Sequence, residues 1–250
     1  MTIDLSSTTA FITGASQGIG AATARHLASL GANVILAARN IDALRNLARE
    51  VGPQALAVRC DVADYAAVQA AMQEGVEHFG SMNILINNAG TIEPIARIED
   101  SDPSQWGRVV DVNLKGVYHC LHAAYPHLKE NGGTIINISS GAATSALEGW
   151  SHYCSTKAAV LSLTRCAHKE WSDFGINVVG LSPGTVATDM QIEIKKSGIN
   201  PVSKLDWSSH IPSEWVGKTI AWLTTNAARK YDGSDFSLKS EEGLREVGLI

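Results

Sequence analysis

The sequence predicts an α/β protein built on a doubly wound parallel sheet with helices on both faces. Three observations predict it: six compact apolar runs, longer amphipathic stretches between them, and a glycine-rich turn directly after the first run. The runs cover 10–13, 34–38, 56–59, 84–87, 134–138 and 176–181. They show little polar alternation, as expected of strands buried on both faces. Leu44, Leu47, Ala48 and Val51 follow helical spacing up to Gly52-Pro53, and Val68, Met72, Val76 and Phe79 do so up to Gly80. Longer helical patterns span 104–129 and 151–174. This alternation implies right-handed crossovers and a ligand crevice outside the carboxyl ends of the strands.

The 250 residues are expected to form one domain over 1–250, because open α/β sheets grow as single units. With 45% hydrophobic and 18% charged residues, the composition excludes a disordered chain. A net charge of −5 without a dense Lys/Arg cluster argues against a nucleic-acid partner. Cys60, Cys120, Cys154 and Cys166 fit neither metal-pair spacing nor a small disulfide framework, and they read as reduced thiols. The polar opening 1–9 lacks a leader pattern, and no apolar run approaches the ~20 residues of a membrane span. The expectation is a cytoplasmic protein without a membrane partner. The polar stretch 189–212, with Gly198 and Pro201 and no clean periodicity, reads as an irregular loop serving as a substrate lid.

The first run leads into Thr13-Gly14-Ala15-Ser16-Gln17-Gly18-Ile19-Gly20, and a helix follows from about Ala21. Glycines there let the backbone turn sharply and approach a pyrophosphate, while the helix N-terminus supplies free N–H groups. A purely structural turn is the plainer alternative. The second run ends Ala37-Ala38-Arg39-Asn40. An NAD site would carry an acid here for the ribose 2′-hydroxyl. Ala38 cannot serve, whereas Arg39 can fork its N–H groups onto a 2′-phosphate, so NADP(H) is preferred and NAD(H) remains possible. A solvated arginine opening a helix is the alternative. Asp61 and Val62, after the third run, are candidate contacts for the adenine, Asp61 as acceptor from its amino group or else as a helix cap. Asn88, Ala89 and Gly90 follow the fourth run, where small residues suit a ribose. Together these features describe a Rossmann-type sheet.

Tyr153 and Lys157 lie four apart in a helical pattern and so share a face. A phenol is a poor base near neutrality, and a neighbouring ammonium is expected to lower its pKa. The pair then becomes an acid/base for a carbonyl or carbinol, and Ser140, at the end of the fifth run, can hydrogen-bond the substrate oxygen. A lone tyrosine–lysine pair of this spacing is commonly a surface feature. In company it is not: Thr13 to Gly20, Asn87 to Gly90, Asn113, Ser140, Tyr153 with Lys157, and Pro183-Gly184 resemble, in order and spacing, the short-chain dehydrogenase/reductase family. The likeness is to its compact members related to 3-oxoacyl-carrier-protein reductases, and covers about residues 5 to 190 strongly and the remainder weakly.

The resemblance implies an enzyme that interconverts a ketone and a secondary alcohol by hydride transfer. Tyr153 would be the acid/base, and Lys157 would hold the nicotinamide ribose and tune Tyr153. Ser140, thirteen residues before Tyr153 as in the family, would orient the carbonyl in preference to Ser139. Asn113 would hold a water in a proton relay, unless it is a helix asparagine bonded to backbone. Pro183, Gly184, Val186 and Thr188 would contact the nicotinamide end, Val186 through its N–H. The resemblance also implies a homo-oligomer, a tetramer or dimer. Two departures stand out: Gln17 occupies a position where NADP-dependent relatives often carry a cation, and the segment from Asp235 lacks the usual glycine pair after the last strand.

Rival readings exist. Gly14-Ala15-Ser16-Gln17-Gly18 also fits the GxSxG elbow of a serine hydrolase. A non-catalytic, cofactor-sensing regulator on the same fold is another reading, although such proteins typically lose the tyrosine or lysine and both are present. His119 and His122 share a helix face, but no third metal ligand is evident and no metal is expected. Trp150, Trp207 and Trp215 read as packing residues, with Trp207 in the lid. The substrate pocket would be built from 141–150 and 189–212, in which nothing names the substrate.

Overall fold

All six apolar runs become strands, and a seventh joins them. The computed structural model describes residues 3–250; Met1 and Thr2, at the start of the polar opening, lie outside the described residues. The strands are β1 (Thr9–Thr13), β2 (Asn33–Ala38), β3 (Ala55–Arg59), β4 (Ile84–Asn87), β5 (Gly133–Ile138), β6 (Ile176–Ser182) and β7 (Asp235–Ser237). They form one parallel sheet in the order β3-β2-β1-β4-β5-β6-β7. β7 leaves little trace in the sequence because only Phe236 of its three residues is buried.

Register explains the unbroken apolar runs. Phe11 aligns with Ile35 and Leu85, Leu85 with Ile135, and Ile135 with Val178; these line one face. Their neighbours Ile12, Leu36, Ile86, Ile136 and Val179 line the other. Successive side chains point to opposite faces, and each face is covered, so both must be apolar. Helices α1 (Gly18–Ser29), α2 (Ile41–Val51) and α8 (Ser213–Leu223) cover one side; α3 (Tyr65–Phe79), α5 (Gly116–Leu128) and α6 (Ser151–Trp171) cover the other. Between α3 and α5 lies α4 (Pro103–Val110); α7 (Asp189–Ser197) precedes α8, and α9 (Glu241–Val247) closes the chain. The chain leaves β1 toward β2 on one side and returns to β4 on the other, which opens a crevice at the carboxyl ends between them.

Three expectations need correction. The helical pattern over 104–129 is interrupted: α4 passes through a π-helical turn, Asp111–Lys115, before α5. Sequence periodicity registers a widened turn poorly, because the apolar spacing resumes after one residue of slip. The stretch 189–212 is not an irregular loop. It holds α7, closed by Gly198 in the left-handed conformation, and two short 3₁₀ turns. Only Gln191 and Ile194 of α7 are buried, so it has no apolar stripe to read. The amide of Ala187 bonds Ile211 O (3.0 Å) and that of Ile211 bonds Thr185 O (3.0 Å), which draws the two ends of this segment together. Finally, Asp64 rather than Asp61 caps α3, accepting from Ala66 N and Ala67 N.

Candidate active site

The crevice begins where β1 ends. Gly14 (φ 63°) and Gly18 (φ 53°) adopt left-handed backbone that other residues rarely take. α1 starts without a side-chain cap. Its first amide bonding back is Ala21 N, to Gln17 O at 3.2 Å, so the amides of Gly18, Ile19 and Gly20 are open to an anion. Thr13 braces the turn: its hydroxyl donates to Ile86 O (3.2 Å) and accepts from Asn88 N (2.9 Å) and Ala89 N (3.0 Å). Asn88 Nδ2 returns the tie, donating to Thr13 O (2.8 Å) and Gly14 O (3.2 Å). The Asn88 side chain is thus spent on positioning the turn. Sequence reasoning named Thr13 only as the edge of a motif.

A cleft of about 990 Å³ runs along the carboxyl ends of the strands. Of the predicted contacts, Gly14, Ser16, Gln17, Gly18, Ile19, Arg39, Asp61, Val62, Asn88, Ala89, Gly90 and Thr188, which stands against Gly18, line one stretch of it; Ser140, Tyr153, Lys157, Pro183, Gly184 and Val186 line the other. Gly20 and Asn113 do not line it; they act from behind. Arg39 is exposed beside the small Ala37 and Ala38 and has no acidic partner among the described residues. Asp61 accepts from Ala63 N (3.1 Å). Val62 is steadied by His119, whose Nδ1 donates to Val62 O at 2.9 Å. The Val186 amide has no protein acceptor among the described residues. Open helix amides, glycine backbone and a free cation past β2 fit a dinucleotide laid across the switch point.

Buried polar ties fix the reacting end. Asn87 Nδ2 donates to Asn137 Oδ1 (2.8 Å), and Asn137 Nδ2 to Thr164 Oγ1 (2.9 Å), locking the ends of β4 and β5 to α6. α6 presents Tyr153 and Lys157 on that side. The Tyr153 ring meets Trp150 edge-on at 5.6 Å, and Lys157 Nζ stands 5.6 Å from the Tyr153 ring centroid. Lys157 Nζ donates to Ile138 O at 2.6 Å. Burial pushes Tyr153 up to about 12, opposed by the nearby Ser140 hydroxyl. Burial pulls Lys157 down to about 8, opposed by the nearby Asp235. The expected depression of the phenol by the ammonium is therefore not what the structure shows: Lys157 faces a carbonyl, and desolvation dominates both groups.

Asn113 sits in the π turn, buried, with Oδ1 accepting from Thr91 N (2.8 Å) and Nδ2 donating to Thr91 O (2.8 Å). Nδ2 also reaches Thr156 Oγ1 (3.5 Å), and these bonds tie the helix to the loop after Gly90. Asp235 was missed by sequence reasoning. It is mostly buried, accepts from Ser182 Oγ (2.7 Å), and is raised by that burial. Only the pairing of β7 with β6 brings it near Lys157. His152, beside Tyr153, is fully buried and donates from Nε2 to Ile92 O at 2.6 Å.

The hydrolase elbow finds no support. Among the described residues no non-glycine has positive φ, so Ser16 is not on a strained turn, and no histidine bonds to it. His122 is engaged with the Tyr65 hydroxyl at 2.7 Å. No group of three His, Cys, Asp or Glu among the described residues is placed to hold a metal ion. No helix among them is long and apolar enough to cross a membrane.

The sheet and its cleft define a Rossmann-type α/β fold with a crevice suited to a dinucleotide. Comparison with known proteins narrows this. Residues 8–198 match the short chain dehydrogenase family model. Over 228 residues the chain is 36% identical to a cis-4-hydroxycyclohexanecarboxylate dehydrogenase of Sinomonas cyclohexanicum, covering 88% of this chain and 90% of that one. It is 32% identical over 235 residues to a 3-oxoacyl-[acyl-carrier-protein] reductase of Staphylococcus aureus, covering 90% and 93%. A crystal structure of the 3-ketoacyl-(acyl-carrier-protein) reductase of Brucella melitensis, complexed with NADH, superposes with a TM-score of 0.84 at 28% identity, covering 94% of this chain and 98% of that one. The chain belongs to the short-chain dehydrogenase family.

Proposed function

We propose that the protein is an NADP(H)-dependent oxidoreductase that interconverts a ketone and a secondary alcohol, with Tyr153, Lys157 and Ser140 at its centre. The observation that carries this reading is the alignment, along one cleft, of open helix amides, an unpaired Arg39 and Ser140 beside the buried Tyr153 and Lys157. A nicotinamide cofactor supplies or takes up the hydride. The names of the similar Sinomonas and Staphylococcus enzymes, one for a ring alcohol and one for a 3-oxoacyl group, support the alcohol–ketone chemistry. The segment 189–212 serves as the lid of one domain spanning 1–250. The protein acts as a homo-oligomer, a tetramer or dimer, a reading supported by Tyr118 and Phe174 standing exposed on its surface. Its free thiols suit the cytoplasm.

In the reducing direction, Ser140 and Tyr153 hydrogen-bond the carbonyl oxygen and hold it against the hydride donor. With its pKa near 12, Tyr153 is protonated at neutrality and gives its proton to the developing alkoxide. Tyr153 lines the cleft beside Ser140, so its phenol is the proton source within reach of the carbonyl oxygen. Lys157 holds the cofactor ribose and returns positive charge beneath Tyr153 as the phenolate forms.

Arg39 is tested by reversing its charge. Arg39→Asp trades attraction for a 2′-phosphate against acceptance of a ribose hydroxyl, so the NADPH/NADH ratio of kcat/KM should fall by about 100-fold. Titration of nicotinamide fluorescence with both cofactors measures the binding part. An unchanged ratio overturns the NADP assignment, and binding with no turnover of any carbonyl favours the regulator reading.

Lys157 sets a pH limb. Its folded pKa is lowered to about 8, so the ammonium is present below that pH and lost above it. The kcat/KM for NADPH, which reports the free enzyme, should fall about tenfold per unit above pH 8. Tyr153 contributes no limb there, being protonated up to about 12. Lys157→Arg, charged throughout, should lack the limb; a limb that persists in this variant assigns it elsewhere.

A further inference from the structure

We propose that Lys239 is the specificity-determining residue for an anionic substrate, a ketone or secondary alcohol that carries a carboxylate on an apolar body. This inference rests on the reading of the cleft as a carbonyl-reducing site and names the class of molecule it takes. Lys239 follows β7 directly. Leu238 N bonds Ser182 O (3.0 Å), which holds the lysine at the carboxyl edge of the sheet, and Lys239 N bonds Ser237 Oγ (3.2 Å). Its side chain then crosses the mouth of the cleft. Cγ lies 3.2 Å from the point where a Cβ on Gly184 would stand, and Nζ lies 3.5 Å from the corresponding point on Gly141. Gly141 adjoins Ser140 and Gly184 adjoins Pro183, so the ammonium borders the space where the carbonyl oxygen and the nicotinamide end must meet.

The ammonium has no protein partner among the described residues: it enters no ion pair within 4.0 Å and donates no hydrogen bond. The other charges lining the cleft have different tasks. Arg39 and Asp61 lie along its first stretch, beyond β2 and β3; Lys157 is bonded to Ile138 O; Arg108 is on the exposed side of α4. Glu93, the other acid of the lining, forms no ion pair within 4.0 Å among the described residues. The cleft lining holds the apolar Ile92, Trp150, Met190 and Ile194 together with the hydroxyls of Ser140 and Ser145, Ser145 Oγ bonding Gly141 O at 2.8 Å. An unanswered cation held against Gly141 and Gly184, in a cleft with an apolar cluster in its lining, selects a ligand with an apolar body and an anionic end.

The test is a matched pair. Holoenzyme with NADPH is assayed on 4-oxocyclohexanecarboxylate and its methyl ester, and on 3-oxobutanoate and its methyl ester. The wild type should favour the acids, and Lys239→Met should lower the acid/ester ratio of kcat/KM by about 10-fold, chiefly through KM of the acid. Added salt should erode the preference in the wild type. Cyclohexanecarboxylate, which has no carbonyl, should bind the NADPH complex in a Lys239-dependent way, read by tryptophan fluorescence. An acid/ester ratio unchanged by Lys239→Met overturns the proposal. So does an equal loss of NADPH affinity, which would assign the lysine to the cofactor's phosphates, and so does absence of both turnover and carboxylate binding. Lys239-dependent carboxylate binding without turnover of any ketone would instead sink the carbonyl-reducing reading and leave the anion site standing.

Discussion

Tyr153→Phe should lower kcat for carbonyl reduction by about 1,000-fold, equivalent to about 4 kcal/mol of transition-state stabilisation, while NADPH binds as before. The substitution deletes one hydroxyl and keeps the ring, which packs edge-on against Trp150. Among the described residues no other tyrosine lines the cleft, so no second phenol replaces the missing proton. Ser140 remains and continues to hold the carbonyl oxygen, so KM should change less than kcat. His152, the neighbouring titratable ring, cannot substitute, because Nε2 is bonded to Ile92 O and burial lowers its basicity. Steady-state kinetics with a NADPH titration measure both quantities. Turnover within tenfold of the wild type would refute the role of the phenol.

Gly20→Ala should cost about 100-fold in NADPH affinity and roughly 1–3 kcal/mol of stability. Gly20 is at an ordinary helical position, so its conformational freedom is not the issue. Space is: a Cβ there would overlap Gly14 O and stand 2.7 Å from Asn88 Nδ2 and 2.9 Å from Ala15 Cα. Two of these neighbours are backbone, and Asn88 is the strut that holds the phosphate turn to Thr13 and Gly14. Relief requires the turn itself to move, and the open amides of Gly18 and Ile19 move with it. Thermal melting gives the stability part and fluorescence titration the affinity part. Loss of stability with intact affinity would mean that the turn does not depend on this packing.

The strands were legible because burial on both faces demands unbroken apolar runs, and the turn after β1 was legible because its glycines leave a local signature. The rest was less so. The π turn at Asn113 keeps helical composition and alters only the hydrogen-bond ladder. α7 is half exposed and carries no stripe. The lowered phenol expected from Lys157 was a statement about two side chains four apart, whereas the electrostatics at Tyr153 depend on burial by Trp150 and Ile92, and on where Lys157 finds its acceptor.

By itself the sequence determined the element order, the two apolar faces of the sheet, the glycine turn after β1 and the spacing of Ser140, Tyr153 and Lys157, all written in local periodicity or local motif. Only the tertiary structure decided that Asp235 stands near Lys157, that Lys239 crosses Gly141 and Gly184, and that Thr13 and Asn88 brace one loop with another. Those contacts are set by strand order and register, which join residues far apart in the chain; such pairings follow from how the whole sheet buries its faces, and no local pattern encodes them.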